Sequence, residues 1–116
     1  MSAITTHVLD VSRGRPASGL LIMLERQDET GAWKELARGT TDADGRLKDL
    51  IPEGQGLDAG NFRLVFDTGS YFRLQSMSGF YPSVSVVFEV KKEKEKEHYH
   101  VPLLLSPYGY STYRGS

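Results

Sequence analysis

The sequence lacks cysteine, any large net charge and any long apolar run. Without cysteine there can be no disulfide, thiolate nucleophile or cysteine-based metal site, and the chain suits a reducing compartment. The formal net charge of -1 offers no basic field for nucleic acid or an anionic membrane. The apolar stretch "VPLLL" is far too short to span a bilayer, and "MSAITTHVLD" does not look like a signal peptide. We therefore expect a cytoplasmic protein with no nucleic-acid or membrane partner.

Helical periodicity is also scarce, whereas short β-rich runs recur between Gly and Pro turn signals. At 116 residues the chain predicts a single domain, 1–116, with one core. The pattern favours an all-β protein of about eight strands in two antiparallel sheets packed face to face. The predicted strands are 4–11, 20–27, 32–41, 46–50, 61–68, 83–90, 98–106 and 110–116, and a short helix is allowed only within 69–82. The charged run "KKEKEKE" is interpreted as a solvated hairpin connection.

All three histidines are predicted to lie on strand faces that point away from the core. His98 and His100 are two residues apart, so both point away from the side of the strand that Tyr99 and the following alternate apolar residues would bury. The same alternation in "ITTHVLDV" turns Val8 toward the core and His7 outward, beside Thr5. A face that carries histidines among apolar residues suits neither solvent nor core, and it is typical of a site or an interface.

Three interpretations of this face remain open from spacing alone. The histidines could simply cap a strand beside a charged loop. They could supply three nitrogens to a zinc ion, although no Asp or Glu on the same faces supports that. They could also act in metal-free acid–base catalysis, with an arginine polarising a carbonyl.

Three segments carry a resemblance to a known family: "TTHVLDVSRGRPASGL", "TDADGRL" and "HYHVPLLLSPYGYSTYRGS". Together they resemble the transthyretin-like family and, within it, the 5-hydroxyisourate hydrolases, with the final "YRGS" as the most specific element. The resemblance covers nearly the whole chain. It implies a transthyretin-like sandwich of two four-stranded antiparallel sheets with one short helix. It also implies a homotetramer, a dimer of dimers with active sites in the channel between the dimers.

The activity that this resemblance implies is hydrolysis of the small molecule 5-hydroxyisourate to 2-oxo-4-hydroxy-4-carboxy-5-ureidoimidazoline in urate catabolism. No cofactor or metal is expected, because a histidine base and a polarising arginine would suffice. The implied catalytic residues are His7, Arg46, His100 and Ser116, and the implied substrate-binding residues are His7, Arg46, His98, Tyr113 and Arg114. The alternatives are a small-ligand carrier of the transthyretin type and a noncatalytic β-sandwich accessory module.

One point stays open at the chain end. In a strand that continued to residue 116, Ser111, Tyr113 and Gly115 would share one face, and Thr112, Arg114 and Ser116 would share the other. Alternation therefore gives the histidine side to Tyr113 or to Ser116, but not to both.

Overall fold

Two β-sheets face each other in the computed structural model, which describes residues 2–116. The described strands are β1 (Ile4–Asp10), β2 (Arg15–Pro16), β3 (Leu21–Gln27), β4 (Trp33–Thr40), β5 (Arg46–Leu47), β6 (Gly60–Phe66), β7 (Val84–Val90), β8 (Tyr99–Ser106) and β9 (Gly109–Thr112). One α-helix, α1 (Thr68–Arg73), follows β6, and a single 3-10 turn spans Lys92–Lys94. The all-β class, the two-sheet sandwich and the one short helix are confirmed.

The first sheet has the order β2-β1-β8-β9, with β5 also paired to β1, and the second has the order β4-β3-β6-β7. The first sheet therefore has five strands where four were predicted, because two short strands share one edge of β1. It is also not wholly antiparallel, because β1 and β8 run parallel. Parallel neighbours need a long crossover, and here the crossover includes the whole second sheet. Alternation within one strand says nothing about the direction of its neighbour.

The core between the sheets follows the predicted alternation. In β8, every second side chain from Tyr99 to Leu105 is at least 94% buried, and in β1 Ile4 and Val8 are fully buried. Fully burying an aliphatic side chain contributes about 1.5–3 kcal/mol, so these positions fix which face of each strand is turned inward. The opposite faces of β1 and β8, which carry the histidines, must then point out of the sandwich.

A buried carboxylate joins β1 to the helix. Asp10 is fully buried at the end of β1, and one carboxylate oxygen accepts the Tyr71 hydroxyl at 2.8 Å. Its other oxygen accepts the Ser12 hydroxyl at 2.7 Å and the Arg13 backbone N–H at 3.2 Å. Burial is the main cause that raises the pKa of Tyr71, which keeps its hydroxyl protonated as the donor. Helix α1 is thus fixed against the first sheet.

The last strand is shorter than predicted, and Pro102 accounts for this. β9 pairs with β8 up to Thr112, opposite Leu103, and the next position along β8 is a proline that has no N–H to donate. The Thr112 hydroxyl instead donates to the Pro102 carbonyl at 2.7 Å. The chain rejoins β8 at Gly115, whose N–H donates to the His100 carbonyl at 2.8 Å.

The charged run is not a hairpin, because it joins β7 of the second sheet to β8 of the first. Two hydrogen bonds hold it in place: the Tyr99 hydroxyl donates to the Lys94 carbonyl at 2.7 Å, and the Ala59 N–H donates to the Glu95 carboxylate, also at 2.7 Å. Its lysine and glutamate side chains are largely exposed, as predicted. Across residues 2–116, no helix has the length and apolar character that crossing a membrane requires.

Candidate active site

His7 and Arg46 lie directly opposite each other where β1 pairs with β5. Directly paired residues point to the same face of a sheet, so the imidazole and the guanidinium share the outer face. The turn that leads into β5 is held by Asp42, whose carboxylate accepts the backbone N–H groups of Asp44 and Arg46, both at 2.9 Å. The Arg46 N–H is the main cause that lowers the pKa of Asp42, so this carboxylate stays charged and the turn stays closed at neutral pH.

The same turn decides that Nε2 of His7 carries a proton. Its Nε2 lies 2.9 Å from the Asp44 carbonyl oxygen. A carbonyl can only accept, so Nε2 must carry the proton and donate it. In the neutral ring, Nδ1 is then the nitrogen with the lone pair.

His98 and His100 are joined through the hydroxyl of Thr5. Thr5 Oγ1 lies 3.1 Å from His98 Nε2 and 2.8 Å from His100 Nδ1, and His98 Nδ1 lies 2.8 Å from the Ser2 carbonyl oxygen. The two rings are nearly parallel, with 14° between their planes and 6.5 Å between their centroids. This contact exists because β1 and β8 are parallel neighbours with Thr5 paired to His100.

His100 is held in its neutral form. Burial is the largest cause that lowers its pKa, followed by the charges of His98, Arg46 and His7, while a backbone contact with Thr5 acts in the opposite direction. A neutral imidazole at pH 7 can accept a proton, which a general base must do. The same influences show that His7, Arg46 and His98 lie near enough to act on His100 electrostatically.

The end of the chain runs against the His100 ring. A Cβ on Gly115 would lie 2.5 Å from His100 Cδ2 and 3.2 Å from Pro102 Cγ, so only glycine allows this approach. Ser116 follows directly and is exposed. The chain end therefore reaches the histidine side through a backbone contact at Gly115, and not by continuing β9.

Arg114 and Tyr113 lie elsewhere in this chain. The Arg114 guanidinium is 4.8 Å from the centre of the Tyr99 ring and donates to Glu97 at 3.0 Å and to the His98 carbonyl at 3.3 Å. Tyr99 faces the core, so Arg114 is on the opposite side of β8 from the histidine rings. Arg114 is the main cause that lowers the pKa of Glu97, and it keeps that carboxylate charged. Tyr113 is 58% exposed and lines a groove between β9 and β7.

The structure thus brings together four of the residues that the sequence singled out: His7, Arg46, His98 and His100. It places Ser116 at the end of the segment that contacts His100, and Tyr113 and Arg114 at the edge of the sheet. Two further residues belong to this arrangement, Thr5 between the rings and Gly115 against one of them. Alternation put Thr5 on the histidine side, but only the register of the parallel pair brings it between the two rings.

The donors are not arranged for a metal ion. Within residues 2–116, no three His, Asp or Glu side chains are grouped so that they could hold one. Both ring nitrogens of His98 already contact protein oxygens, and one nitrogen of His7 and one of His100 do so as well. The zinc interpretation gains no support from this geometry.

Comparison with known proteins gives a consistent picture. Residues 4–115 match the model of the HIUase/Transthyretin family. A 5-hydroxyisourate hydrolase of Salmonella dublin is 47% identical over 113 residues, which cover 97% of this chain and 80% of the relative. The solved 5-hydroxyisourate hydrolase of Klebsiella pneumoniae is 33% identical with a TM-score of 0.83, covering 97% of this chain and 98% of that one. Sea bream transthyretin, solved in complex with thyroxine, is also 33% identical, with a TM-score of 0.89 and coverages of 98% and 95%.

Proposed function

The chain belongs to the HIUase/Transthyretin family, and from this premise we propose that it hydrolyses 5-hydroxyisourate in urate catabolism. Its relatives of this name match it over nearly its full length. The single observation that carries the proposal is the neutral His100, held beside His7 and Arg46 on one outward face. The product expected from this ring opening is 2-oxo-4-hydroxy-4-carboxy-5-ureidoimidazoline.

In the proposed reaction His100 is the general base. Its Nε2 takes a proton from water while the water oxygen bonds to a ring carbonyl carbon of the substrate. The adjacent carbon–nitrogen bond then breaks, the six-membered ring opens, and the departing nitrogen receives the proton back from the imidazolium. General-base catalysis of this kind contributes about 10²- to 10⁴-fold in rate.

Arg46 and His7 would hold the substrate and polarise it. The guanidinium presents a planar fork of donors that suits a carbonyl oxygen as negative charge develops on it. The Nδ1 lone pair of His7 can accept an N–H of the purine-derived ring, because Nε2 is occupied by the Asp44 carbonyl. We assign Ser116 to the rim of the site, where its hydroxyl could orient water, because Gly115 brings the chain end to His100.

We further propose that the protein is a homotetramer, a dimer of dimers, and that Tyr113 and Arg114 contribute to substrate binding in that assembly. The two outer edges of the second sheet differ in a way that supports association. The β4 edge carries a bulge and the charged Lys34 and Arg38, which oppose strand pairing. The β7 edge contains no lysine or arginine and leaves Val87 58% exposed, beside the groove that Tyr113 lines. An edge of that kind is a template for pairing with another chain.

A carrier function of the transthyretin type is the second candidate, because the chain is also similar to a transthyretin solved with thyroxine. A shared fold does not decide between the two functions. The paired His7 and Arg46 and the neutral His100 favour hydrolysis, since a carrier has no need of a base. The cytoplasmic location expected from the sequence stays a prediction.

The proposal is tested by mixing the purified protein with freshly generated 5-hydroxyisourate and following its loss by absorbance. We expect loss much faster than in buffer, and the same rate after exhaustive chelation, because no step needs a metal. A rate equal to that in buffer would overturn the hydrolase proposal. Activity that chelation removes, and that a divalent metal restores, would overturn the metal-free mechanism while leaving the substrate assignment in place.

A further inference from the structure

The contacts of His98 leave neither of its ring nitrogens free to act on a substrate. Its Nδ1 contacts the Ser2 carbonyl and its Nε2 contacts the Thr5 hydroxyl, so both ring nitrogens have protein partners. By contrast, Nε2 of His100 has no hydrogen-bond partner among residues 2–116, and its Nδ1 contacts Thr5. The two histidines are therefore at opposite ends of one hydrogen-bonded chain with Thr5 in the middle.

The direction of that chain follows from the Ser2 carbonyl. A carbonyl can only accept, so His98 Nδ1 must carry a proton and donate it. In neutral His98 the other nitrogen, Nε2, is then an acceptor, and the Thr5 hydroxyl must give it its one proton. Thr5 Oγ1 has nothing left to donate to His100 and can only accept from it. His100 Nδ1 must therefore be the protonated nitrogen.

We propose that Thr5 and His98 are positioning residues that hold neutral His100 in the tautomer with its proton on Nδ1. The lone pair is then on Nε2, the nitrogen that takes the proton from water in the proposed reaction. This inference rests on the proposed function for its catalytic consequence, whereas the tautomer itself is a property of the protein without substrate. An isolated imidazole has no such restriction and can place its proton on either nitrogen.

Because Thr5 is buried, the direction of these hydrogen bonds determines the tautomer of His100. Thr5 is only 5% exposed, so water has little access to its hydroxyl as a substitute partner. If His98 takes a second proton, its Nε2 becomes a donor to Thr5, and the hydroxyl is then able to donate to His100 Nδ1. That reversal would place the His100 proton on Nε2 and remove the base. The charged groups that act on His100 are His98, Arg46 and His7.

The direct test is a ¹⁵N NMR spectrum of histidine-labelled wild-type protein without substrate, at a pH where all rings are neutral. We expect His100 to show a protonated Nδ1 and an unprotonated Nε2, and Thr5→Val to shift the ring toward a mixture of tautomers. A wild-type His100 with its proton on Nε2 would overturn the proposal. This result does not depend on what the protein hydrolyses, so it separates failure of this inference from failure of the proposed function.

The kinetic test uses matched threonine variants. Thr5→Val should lower kcat/KM by about 10- to 100-fold, the range seen when a residue that orients a metal-bound histidine is lost, because Thr5 orients His100 in a comparable way. Thr5→Ser keeps the hydroxyl and should keep kcat/KM much closer to wild type than Thr5→Val does. Thr6→Val is the control, because Thr6 is also buried, lies on the core side of β1 and donates to the Val101 carbonyl. Equal losses in Thr5→Val and Thr6→Val would contradict a specific role for Thr5.

The role of His98 is tested through the same chain. His98→Phe removes the acceptor that orients Thr5, so the hydroxyl can then either donate to His100 Nδ1 or accept from it. We expect a mixture of His100 tautomers in the NMR spectrum and a fall in kcat/KM. Because Thr5 and His98 act in series, the double variant with Thr5→Val should lose little more than the worse single variant. Losses that multiply would show that the two residues act independently, and this would overturn the proposal that His98 acts on His100 through Thr5.

Discussion

Strand β1 carries a polar network on each of its faces, and the two networks end differently. On the core side, Asp10 uses both carboxylate oxygens to accept protein donors, among them the Tyr71 hydroxyl. On the outer side, a series of hydrogen bonds runs from the Ser2 carbonyl through His98 and Thr5 to the His100 ring. It ends at His100 Nε2, which has no partner within residues 2–116. A network in which every group is satisfied stabilises a fold. One that ends on a proton acceptor is equipped for chemistry.

The largest effect should follow from removing that acceptor. His100→Ala is expected to lower kcat for 5-hydroxyisourate by about 100-fold or more, because the general base is lost. The melting temperature should stay close to wild type, since His100 lies on the outer face and not in the core. Steady-state kinetics and thermal unfolding measured on the same preparation check this. Turnover near that of wild type would show that the acceptor is a different group.

The second effect concerns the chain end that lies against His100. Gly115→Ala should lower kcat/KM by about tenfold, because a Cβ would displace either the ring or the terminal segment, and small displacements of a catalytic group are costly. Gly109→Ala is the matched control, because a Cβ there meets only the Ser106 hydroxyl oxygen, at 3.8 Å. Equal kinetics in the two variants would mean that the contact at Gly115 does not support the site.

On the other face of β1 the expected effect is on stability and not on rate. Tyr71→Phe removes a donor from the buried Asp10 carboxylate and should lower the free energy of unfolding by about 1.5–3 kcal/mol. Its kcat/KM should be unchanged, since Asp10 and Tyr71 do not contact the histidines. Tyr108→Phe makes the same chemical change at a side chain that is 75% exposed, and denaturant titration should show almost no loss. A large loss of turnover in Tyr71→Phe would erase the distinction between the two networks.

The sequence was enough to predict which residues lie on the core face and which lie on the outer face. Alternation in β8 correctly divided Tyr99 and Val101 from His98 and His100, because burial of every second side chain fixes the face of a strand. The resemblance added Arg46, which no periodicity in its short segment would indicate. The strand pairing His7 to Arg46 then places both on the predicted face.

What the sequence could not show depends on contacts between distant segments. The parallel direction of β1 and β8, which places Thr5 between two histidines, leaves no mark in either strand's own pattern. The position of the chain end was harder still to predict, because the alternation argument holds only if β9 continues to residue 116. Pro102 interrupts the ladder on the neighbouring strand, and the segment returns to His100 at Gly115. Simple face counting therefore does not apply to Tyr113 and Ser116.

The smallest expected effect is a shift along the pH axis, and it is also the most direct test of His100 as the base. The kcat/KM profile reports the pKa values of the free enzyme, and burial lowers the pKa of His100 below its usual value. Activity should therefore be retained on the acid side until the pH falls below about 6.5, the ordinary value for histidine. We predict that the acid limb coincides with the NMR titration of His100 in the free protein. An acid limb that follows His7 instead would contradict the assignment of the base.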